Sequence, residues 1–260
     1  KIYVNIKFII KFWKTENSLS LNEAQKILHK FYPKRNIELA QNVNYEPKYD
    51  LMIIVPVYNA ERFLESCISS LLGQQTQYSY YIVFVDDGST DKSAMILDKY
   101  SQCNNIKIIH QQNMGISAAR NIALKNICGN YLMFVDSDDI LPDNTIETLM
   151  NLAEEKNADI VEGQYKSFIS DDEIDIHKHE RFQSSNLTKL NGYAWGKIIS
   201  SEKLLNLAFP KGYEYEDTII STLLIPSCKK IYVTNDVTYY YRKNEQGITS
   251  ALYNRKSSID

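Results

Sequence analysis

Apolar runs that end in polar residues recur from residue 51 onward, and they alternate with stretches of helical periodicity. Residues 51–55 form a continuous apolar run, and residues 60–72 carry apolar side chains at helical spacing before Gly73. The first pattern is typical of a strand buried on both faces, and the second of an amphipathic helix. Their alternation predicts an α/β fold, a mostly parallel sheet flanked by helices. Further strands are predicted over 80–85, 106–110, 131–135, 160–168, 231–233 and 237–241, and further helices over 92–100, 116–127, 143–155, 202–207 and 217–224.

The N-terminal part has a different pattern, which predicts a pair of helices within residues 1–32. Residues 2–14 place large apolar side chains on one helical face and lysines on another. A second helix is predicted between the capping-box pair Ser20 and Glu23 and the stop at Pro33. Their apolar faces fit packing on each other, on the rest of the chain or on another subunit, as in a homo-oligomer. The basic face of the first helix also fits an anionic membrane surface.

Charge separates the same part from the rest of the chain. Residues 33–48 are polar and without periodicity, as expected of a linker. Residues 1–48 hold nine Lys or Arg and four Glu, so of the net charge of −3 the remainder carries about −8. An acidic body argues against nucleic acid as a partner. We predict a helical pair and linker over 1–48 and one principal domain over 49–260, whose 44% hydrophobic chain can bury a core.

Cysteine usage and the lack of targeting signals favour a cytoplasmic location. The four cysteines are widely spaced and contain no C-x-x-C pair, which is typical of a reducing compartment. His177 and His179 lie in a polar, acidic segment, so we expect them in a solvated loop rather than in a metal site. No apolar run reaches about 18 residues, and the N-terminal apolar stretch lacks a small-residue cleavage site. Neither a spanning helix nor a secretory signal is predicted.

Polar, ligand-capable residues follow three of the predicted strands. In a parallel sheet the carboxyl ends of such strands meet at one edge, where ligands bind. Each motif alone has a simpler use, since Asn59 can cap a helix and Asp87-Gly88 can form a turn. Their joint occurrence indicates one binding site. The motifs are Val55-Pro56-Val57-Tyr58-Asn59, Asp86-Asp87-Gly88-Ser89 and Asp136-Ser137-Asp138-Asp139.

The third motif brings three carboxylates together within four residues. Side chains at i and i+2, such as Asp136 and Asp138, can point the same way, which suits a divalent cation and the phosphates it carries. The same acids can instead cap the helix predicted after Pro142. No G-x-G-x-x-G or P-loop motif follows the first strand, which argues against a dinucleotide oxidoreductase and a P-loop phosphotransferase.

These motifs occur in the order seen in glycosyltransferase family 2, and the chain resembles the GT-A nucleotide-sugar transferases of that family. The similarity includes residues 115–121 and covers roughly residues 50–250. It implies a Rossmann-like, mostly parallel mixed sheet, with a nucleotide-binding half over about 49–158 and an acceptor half over about 159–260. The further matching motifs are Ala194-Trp195-Gly196-Lys197, Tyr215-Glu216-Asp217-Thr218 and Tyr239-Tyr240-Tyr241-Arg242.

The resemblance implies a pocket for the nucleotide of a UDP-sugar donor. Tyr58 would offer a face to the base, and an acid of the pair Asp86-Asp87 would accept from the uracil N–H, since a flat base with donor edges suits such groups. Arg120 is similar in position to the family's nucleotide-contacting arginine, with a surface salt bridge as its alternative use, and Asp136 would face the ribose. The nucleotide-binding residues implied are Pro56, Val57, Tyr58, Asn59, Asp86, Asp87, Arg120 and Asp136.

The resemblance also implies a metal ligand and a catalytic base. Asp138 would hold Mn²⁺ or Mg²⁺ that bridges the donor diphosphate. Asp217 resembles the base that takes a proton from the acceptor hydroxyl as its oxygen attacks the anomeric carbon. An acid that opens an apolar helix also favours the helix dipole, which is the alternative use of Asp217. The candidates for acceptor or diphosphate contact are Trp195, Lys197, Glu216 and Arg242, of which Trp195 can equally be core.

Two features depart from the family pattern. Some GT-A enzymes supply a C-terminal histidine to the metal, yet no histidine follows His179. Asp138, phosphate oxygens and water would therefore have to hold the ion. Gly247 precedes Ile248-Thr249 where related sequences often have Ser. Any hydroxyl contact at that position is in doubt.

The function we expect is metal-dependent, inverting transfer of a sugar from a UDP-sugar to a hydroxyl of a glycan or lipid-linked glycan. The resemblance places this reaction in cell-surface polysaccharide synthesis, with the protein in the cytoplasm or peripheral on the inner face of the membrane. One alternative is a non-catalytic sugar-nucleotide-binding or partner subunit that docks through residues 1–48. Another is a nucleotidyltransferase, which the missing Gly-rich loop disfavours.

Overall fold

The computed structural model describes residues 43–182, 190–212 and 215–244. The predicted N-terminal helices and the Gly247-Ile248-Thr249 segment lie outside these ranges. The strands in the described part are β1 (Asn44–Val57), β2 (Tyr80–Asp86), β3 (Ile106–His110), β4 (Asn126–Phe134), β5 (Ile160–Phe168), β6 (Lys197–Ser200) and β7 (Ile231–Arg242). They form one sheet in the order β3-β2-β1-β4-β6-β5-β7. β6 runs antiparallel to both neighbours and the other pairs are parallel, which confirms the mostly parallel mixed sheet.

Helices cover both faces of this sheet. They are α1 (Leu64–Leu72), α2 (Ser93–Asp98), α3 (Ile116–Leu124), α4 (Thr145–Lys156) and the short α5 (Ile225–Ser227). A π-helical turn, Ile220–Leu224, precedes α5, and single 3₁₀ turns occur at Asp171–Glu173 and Ser201–Lys203. None of the helices in the described ranges is both long enough and apolar enough to span a bilayer.

Two apolar cores lie on opposite faces of the sheet. Successive side chains of β1 point alternately into one core and the other. Ile53 and Val55 pack with α1, α2 and α4, whereas Met52 and Ile54 pack with α3 and with the segment around Phe209. All four of these β1 side chains are at most 1% exposed. Burying each one stabilises the fold by about 1.5–3 kcal/mol, which favours an interior place for β1 in the sheet, between β2 and β4.

β1 and β4 both begin earlier than the apolar runs predict. Asn44 pairs with Asn126 and Tyr49 with Gly129, although residues 44–48 were expected in a linker and the preceding helix was expected to reach Ile127. These N-terminal halves pair through backbone groups while most of the β1 side chains there stay partly exposed, so hydrophobicity gives no signal. Gly129 is required because a Cβ there would lie 2.4 Å from the backbone nitrogen of Met52.

The second half of the chain departs further from the prediction. The strands expected over 231–233 and 237–241 are one strand, β7, because a register irregularity opposite residues 162–165 of β5 accommodates the polar residues 234–236. The four-residue β6 was not predicted, and the helix expected over 202–207 is a 3₁₀ turn. Short elements bury too few side chains to leave a periodic pattern.

Candidate active site

The carboxyl ends of β1, β2 and β4 meet at one edge of the sheet, as predicted. Val57 lies opposite Asp86 in the ladder between β1 and β2. The backbone nitrogen of Val135, one residue before Asp136, donates to the carbonyl of Ile54 (3.1 Å). The three polar motifs therefore surround one place on the sheet edge.

Asn59 ties the loop after β1 to the loop after β2. Its φ of +48° lies in the left-handed region, which asparagine tolerates. Its Oδ1 accepts from the backbone nitrogen of Thr90 (2.8 Å), and its own backbone nitrogen donates to Oγ of Ser89 (3.0 Å). Because α1 begins only at Leu64, Asn59 does not cap that helix. Beside this link, the ring of Tyr58 is 51% exposed and accessible to a planar ligand.

Asp86 is buried at the end of β2, with both carboxylate oxygens engaged. Oδ1 accepts from the backbone nitrogen of Ser89 (3.0 Å), and Oδ2 lies 2.9 Å from Nδ1 of His110. Nε2 of His110 lies 3.2 Å from Oδ1 of Asp98 on α2. The hydrogen bond with Asp86 raises the pKa of His110, against the opposing effect of partial burial.

Asp87 organises the loop that leads into α3. Its Oδ1 accepts from Nε2 of Gln111 (2.6 Å) and from the backbone nitrogen of Met114 (2.9 Å), and its Oδ2 accepts from the backbone nitrogen of Gly115 (2.7 Å). A carboxylate offers about four acceptor sites, so Asp87 has little capacity left. Asp86, with two such contacts, keeps more acceptor capacity than Asp87, with three.

Arg120 is a buried cation that joins the two halves of the site. Nη1 donates to Oε1 of Glu216 (2.5 Å), and Nη2 lies 3.3 Å from Oδ1 of Asp136. The guanidinium carbon lies 5.1 Å from the ring centroid of Phe209 and 5.9 Å from that of Phe134. With 3% exposure, this is not the surface salt bridge considered from the sequence.

Asp139 has a structural role, which separates it from the other acids of its motif. Its carboxylate is completely buried and accepts from the hydroxyl of Tyr239 and from the backbone nitrogen of Arg242, both at 2.7 Å. Burial raises the pKa of this carboxyl. The two bonds fasten the acidic loop to β7, the strand that contains both partners.

Asp136 and Asp138 remain as the partly exposed acids of the motif. The backbone nitrogen of Asp136 donates to the Tyr239 hydroxyl (3.1 Å), and Oδ2 of Asp138 accepts from Nδ2 of Asn244 (3.0 Å). Burial raises the pKa of Asp136 to about 6, and the carboxylates of Asp138, Glu216 and Asp217 add to this rise while Arg120 opposes it.

Asp217 reaches the same centre from a distant part of the sequence. It follows Tyr215, whose φ is +60°, and its carbonyl accepts from the backbone nitrogen of Ile220 (2.8 Å) where the helical turns begin. Burial and the neighbouring Glu216 raise the pKa of Asp217. Since Asp217 also contributes to the raised pKa of Asp136, the fold brings the two acidic segments within electrostatic reach.

The acids of this centre outnumber its cations. Asp136 and Glu216 pair with the guanidinium of Arg120, and Asp138 and Asp217 lie within electrostatic reach of Asp136. The repulsion among these four acids adds to the raised pKa values of Asp136 and Asp217. A divalent cation would relieve that repulsion, so these side chains fit such an ion. Within the described ranges, no three His, Cys, Asp or Glu side chains form a ready ligand set. A cation would therefore complete its coordination with phosphate oxygens and water.

The proposed diphosphate contact of Arg242 requires correction. Its side chain is 3% exposed, and the guanidinium carbon lies 4.5 Å from the Phe63 ring centroid and 4.3 Å from the Phe168 centroid. Nε donates to the carbonyl of Asp138 (2.7 Å), and Nη1 pairs with Asp171 (2.6 Å). Arg242 holds the loop of Asp138 through that carbonyl, and its guanidinium is buried rather than exposed to a ligand.

The same correction applies to Lys197, which is completely buried. Its ammonium lies 2.9 Å from Oε2 of Glu162 and donates to Oδ1 of Asn191 (2.8 Å) and to the carbonyl of Tyr193 (2.7 Å). These acceptors use the three protons of the ammonium. Lys197 fixes the loop around residues 191–195 and has no proton left for a phosphate.

Trp195 belongs to the core, which was the alternative to sugar stacking. It is 7% exposed and stacks on Tyr193 with ring centroids 4.8 Å apart and on Tyr239 at 4.6 Å. The accessible rings of this cluster are instead Tyr193 and Tyr165, which are 44% and 41% exposed. Tyr165 contacts Trp195 edge-on, with centroids 5.1 Å apart.

Several residues that hold the charged groups were given no role from the sequence. His110 had a usable signal, because it ends a predicted strand at the ligand-binding edge. The others act through contacts between distant segments that no local pattern reports. They are Ser89, Phe209, Tyr239 and Asn244.

Comparison with known proteins connects this arrangement to a family. Residues 52–210 match the profile described as Glycosyl transferase family 2. Glycosyltransferase GlyG of Streptococcus pneumoniae is 32% identical over 76% of this chain and 72% of GlyG. Glycosyltransferase GlyA of the same species is 34% identical over 74% of this chain, and the match spans 30% of GlyA. The minor teichoic acid biosynthesis protein GgaB of Bacillus subtilis is 29% identical over 81% of this chain and 25% of GgaB.

Solved structures share the fold. TarS of S. aureus (residues 1–349), solved in complex with UDP-GlcNAc, has a TM-score of 0.66 at 24% identity, over 78% of this chain and 61% of that one. The mannosyltransferase PcManGT of Pyrobaculum calidifontis, solved with GDP-Man and Mn²⁺, has a TM-score of 0.60 at 16% identity, over 88% of this chain and 66% of that one.

Proposed function

The chain belongs to glycosyl transferase family 2, and we propose that it transfers a sugar, with inversion, from a UDP-sugar to a hydroxyl of a cell-surface glycan. One observation carries this proposal. The fold joins Asp136 and Glu216 through Arg120 and brings Asp138 and Asp217 within electrostatic reach of Asp136, at the ligand-binding edge of the sheet, although the two acidic segments lie far apart in sequence.

The nucleotide of the donor would bind at the ends of β1 and β2. The ring of Tyr58 offers an accessible aromatic face, and the oriented carboxylate of Asp86 beside Val57 accepts the N–H of a uracil. The fold shared with TarS, which was solved with UDP-GlcNAc and with UDP, supports a uridine donor. Asp136 would accept a hydrogen bond from the ribose.

Asp138 would be the protein ligand of a divalent cation, Mn²⁺ or Mg²⁺, next to the donor diphosphate. Asn244 holds one of its carboxylate oxygens (3.0 Å), and Arg242 fixes its backbone (2.7 Å), so the side chain is oriented in advance. When bound, the cation supplies Lewis-acid stabilisation of the leaving diphosphate. The Mn²⁺ in the structure of PcManGT supports this assignment.

Asp217 would act as the base. It accepts the proton of the acceptor hydroxyl while the hydroxyl oxygen forms a bond to the anomeric carbon. The bond from that carbon to the diphosphate oxygen breaks, and its electron pair leaves with UDP. Burial and Glu216 raise the pKa of Asp217, and a raised pKa makes the carboxylate a stronger base than a solvated aspartate.

Arg120 would position rather than react. Its two nitrogens hold Glu216 and Asp136 in fixed places relative to each other, and a planar guanidinium is suited to such a double contact. These contacts tie the donor-side acid to the segment of the base.

The acceptor we propose is a hydroxyl of a cell-wall polymer of the teichoic acid type, or of its lipid-linked precursor. The relative GgaB is named a minor teichoic acid biosynthesis protein. The accessible rings of Tyr165 and Tyr193 offer apolar faces for a sugar or polyol. We further propose that the protein works peripherally at the inner face of the membrane, in contact through residues 1–32.

Release of UDP from a panel of UDP-sugars, with candidate acceptors and with or without chelator, tests this function. Chelator-sensitive release that depends on acceptor is the expected result. Binding of UDP without any turnover would instead support the non-catalytic sugar-nucleotide-binding subunit and contradict the proposed transfer.

A further inference from the structure

His110 lies next to the nucleotide site proposed above but has no role in the proposed reaction. It ends β3, and it pairs in register with Asp86, which in turn pairs with Val57. The three residues form a row across the carboxyl ends of β3, β2 and β1. His110 therefore lies directly behind the carboxylate that we assign to the nucleotide base.

The contacts of His110 determine its protonation. Nδ1 lies 2.9 Å from Asp86 and Nε2 lies 3.2 Å from Asp98, and both partners are carboxylates that accept when ionised. A neutral imidazole has one N–H and can satisfy only one of them, whereas an imidazolium donates to both. The charged side chains in contact with this ring, within the described part of the chain, are Asp86 of β2 and Asp98 of α2.

We propose that His110 is a positioning residue for the donor nucleotide, whose imidazolium holds the carboxylate of Asp86 in the orientation that accepts the N–H of the base. This inference rests on the proposed function. Asp86 has the backbone N–H of Ser89 on one oxygen and His110 on the other, so its plane is fixed from two sides. A carboxylate fixed in this way accepts a hydrogen bond without first losing rotational freedom.

Deprotonation of His110 should weaken binding of the nucleotide. Nδ1 and Nε2 cannot then both donate, and Asp86 loses a charge-assisted hydrogen bond or shares a neutral one. The hydrogen bond to Asp86 raises the pKa of His110 above its usual value of 6.5. The contribution to nucleotide binding is therefore complete while the ring is protonated, and it is lost as the pH rises through the raised pKa.

Calorimetric titration of the full chain with UDP, from about pH 6 to about pH 9, tests the inference. We expect the Kd of the wild type to rise about tenfold as His110 loses its proton, the range of one charge-assisted hydrogen bond. His110→Gln should bind UDP about tenfold more weakly, and its Kd should not show the rise with pH that His110 causes in the wild type. The titration of the UDP phosphate is common to all variants and cancels in the ratio of their Kd values.

Two further variants separate positioning from a general structural role. Asp98 is 64% exposed and is not among the residues that we assign to the nucleotide. Asp98→Asn should keep the UDP affinity at low pH and move the rise of Kd to lower pH. His177→Gln is the matched control, because His177 has a similar 2.9 Å contact with Asp143 away from the nucleotide, and it should change neither Kd nor its rise with pH.

Three outcomes would overturn the inference. The first is a ratio of Kd values between His110→Gln and wild type that stays near one, and the second is a rise of Kd in Asp98→Asn that does not move. In both cases UDP still binds, and the proposed function stands. The third is a wild type that fails to bind UDP at any pH, which would contradict the uridine donor and, with it, this role of His110.

Discussion

Arg120 is the residue on which the charges of the site converge. It is buried among aromatic rings and pairs with a carboxylate from each acidic segment, Asp136 and Glu216. Removing one partner of a buried pair leaves an uncompensated charge, which costs about 3–5 kcal/mol. The buried Nε of Arg120 has no hydrogen-bond partner among the described residues, so the two terminal nitrogens make the ionic contacts.

Arg120→Lys therefore tests whether geometry or charge matters. Lysine keeps the charge but cannot make the forked contact, so we expect the free energy of unfolding to fall by about 1–3 kcal/mol and kcat/KM to fall at least about tenfold. Arg181→Lys is the matched control, because Arg181 makes an exposed pair with Asp236, and it should change stability by less than about 0.5 kcal/mol. Urea unfolding and initial rates measure both effects. Equal behaviour of the two variants would contradict the positioning role.

Asp217→Asn removes the proposed base while keeping the shape of the side chain. Because asparagine cannot accept the proton, kcat should fall by about 10³-fold or more, with UDP affinity within about threefold of wild type. Single-turnover transfer assays and calorimetry measure the two quantities. Near-normal turnover in this variant would exclude Asp217 as the base.

The pH dependence of the wild type follows from the same residue. The base acts only when ionised, and burial with Glu216 raises the pKa of Asp217 above its usual 3.8. We expect kcat to fall with decreasing pH through that raised pKa, so the acidic limb lies at higher pH than an ordinary aspartate would place it. A kcat that stays level down to the titration range of a solvated aspartate would contradict this environment.

At the scale of elements, tight loops at the strand ends hold these residues. Gly88 has a φ of +71°, and a Cβ there would lie 2.7 Å from the backbone nitrogen of Asn113. Gly115 has a φ of +87°, yet a Cβ there would have no neighbour within 4 Å. Both glycines have a positive φ, and they differ in available space.

Substitution of these glycines by alanine separates steric contact from backbone strain. Gly115→Ala should cost about 1–3 kcal/mol of unfolding free energy through its backbone conformation alone (φ +87°, ψ 161°). Gly88→Ala should cost about 1–3 kcal/mol more and weaken UDP binding, because the loop beside Asp87 must move. Chemical unfolding and UDP titration measure both. Equal losses in the two variants would show that the contact with residue 113 does not matter.

Several strands were predictable from the sequence. The strands over 160–168 and 106–110 have the predicted bounds, because both run from an apolar start to a polar turn. The polar first half of β1 and the short β6 were not predictable, since backbone pairing leaves no hydrophobic pattern. In the site, the acids at strand ends could be predicted. The contact of Arg120 with Glu216 could not, because it joins residues 96 apart.

At the scale of the whole molecule, the membrane contact of residues 1–32 stays a prediction from the sequence. It requires the lysines of the first predicted helix, so replacing Lys7, Lys11 and Lys14 by Gln in the full chain should weaken binding to anionic vesicles. Each lysine near such a surface contributes about 1 kcal/mol, so the triple variant should lose about 100-fold in partitioning at low salt. Sedimentation with vesicles measures this. Unchanged partitioning with a changed oligomer mass would assign the helices to assembly.

The central claim is that the acidic centre performs metal-dependent transfer from a UDP-sugar, and acceptor-dependent UDP release tests it most directly. We expect release that stops on chelation, returns with Mn²⁺ or Mg²⁺, and falls by about 10²-fold or more in Asp138→Asn, since that variant lacks the proposed protein ligand. Release at the wild-type rate in the presence of chelator, with Asp138→Asn equal to wild type, would contradict the account.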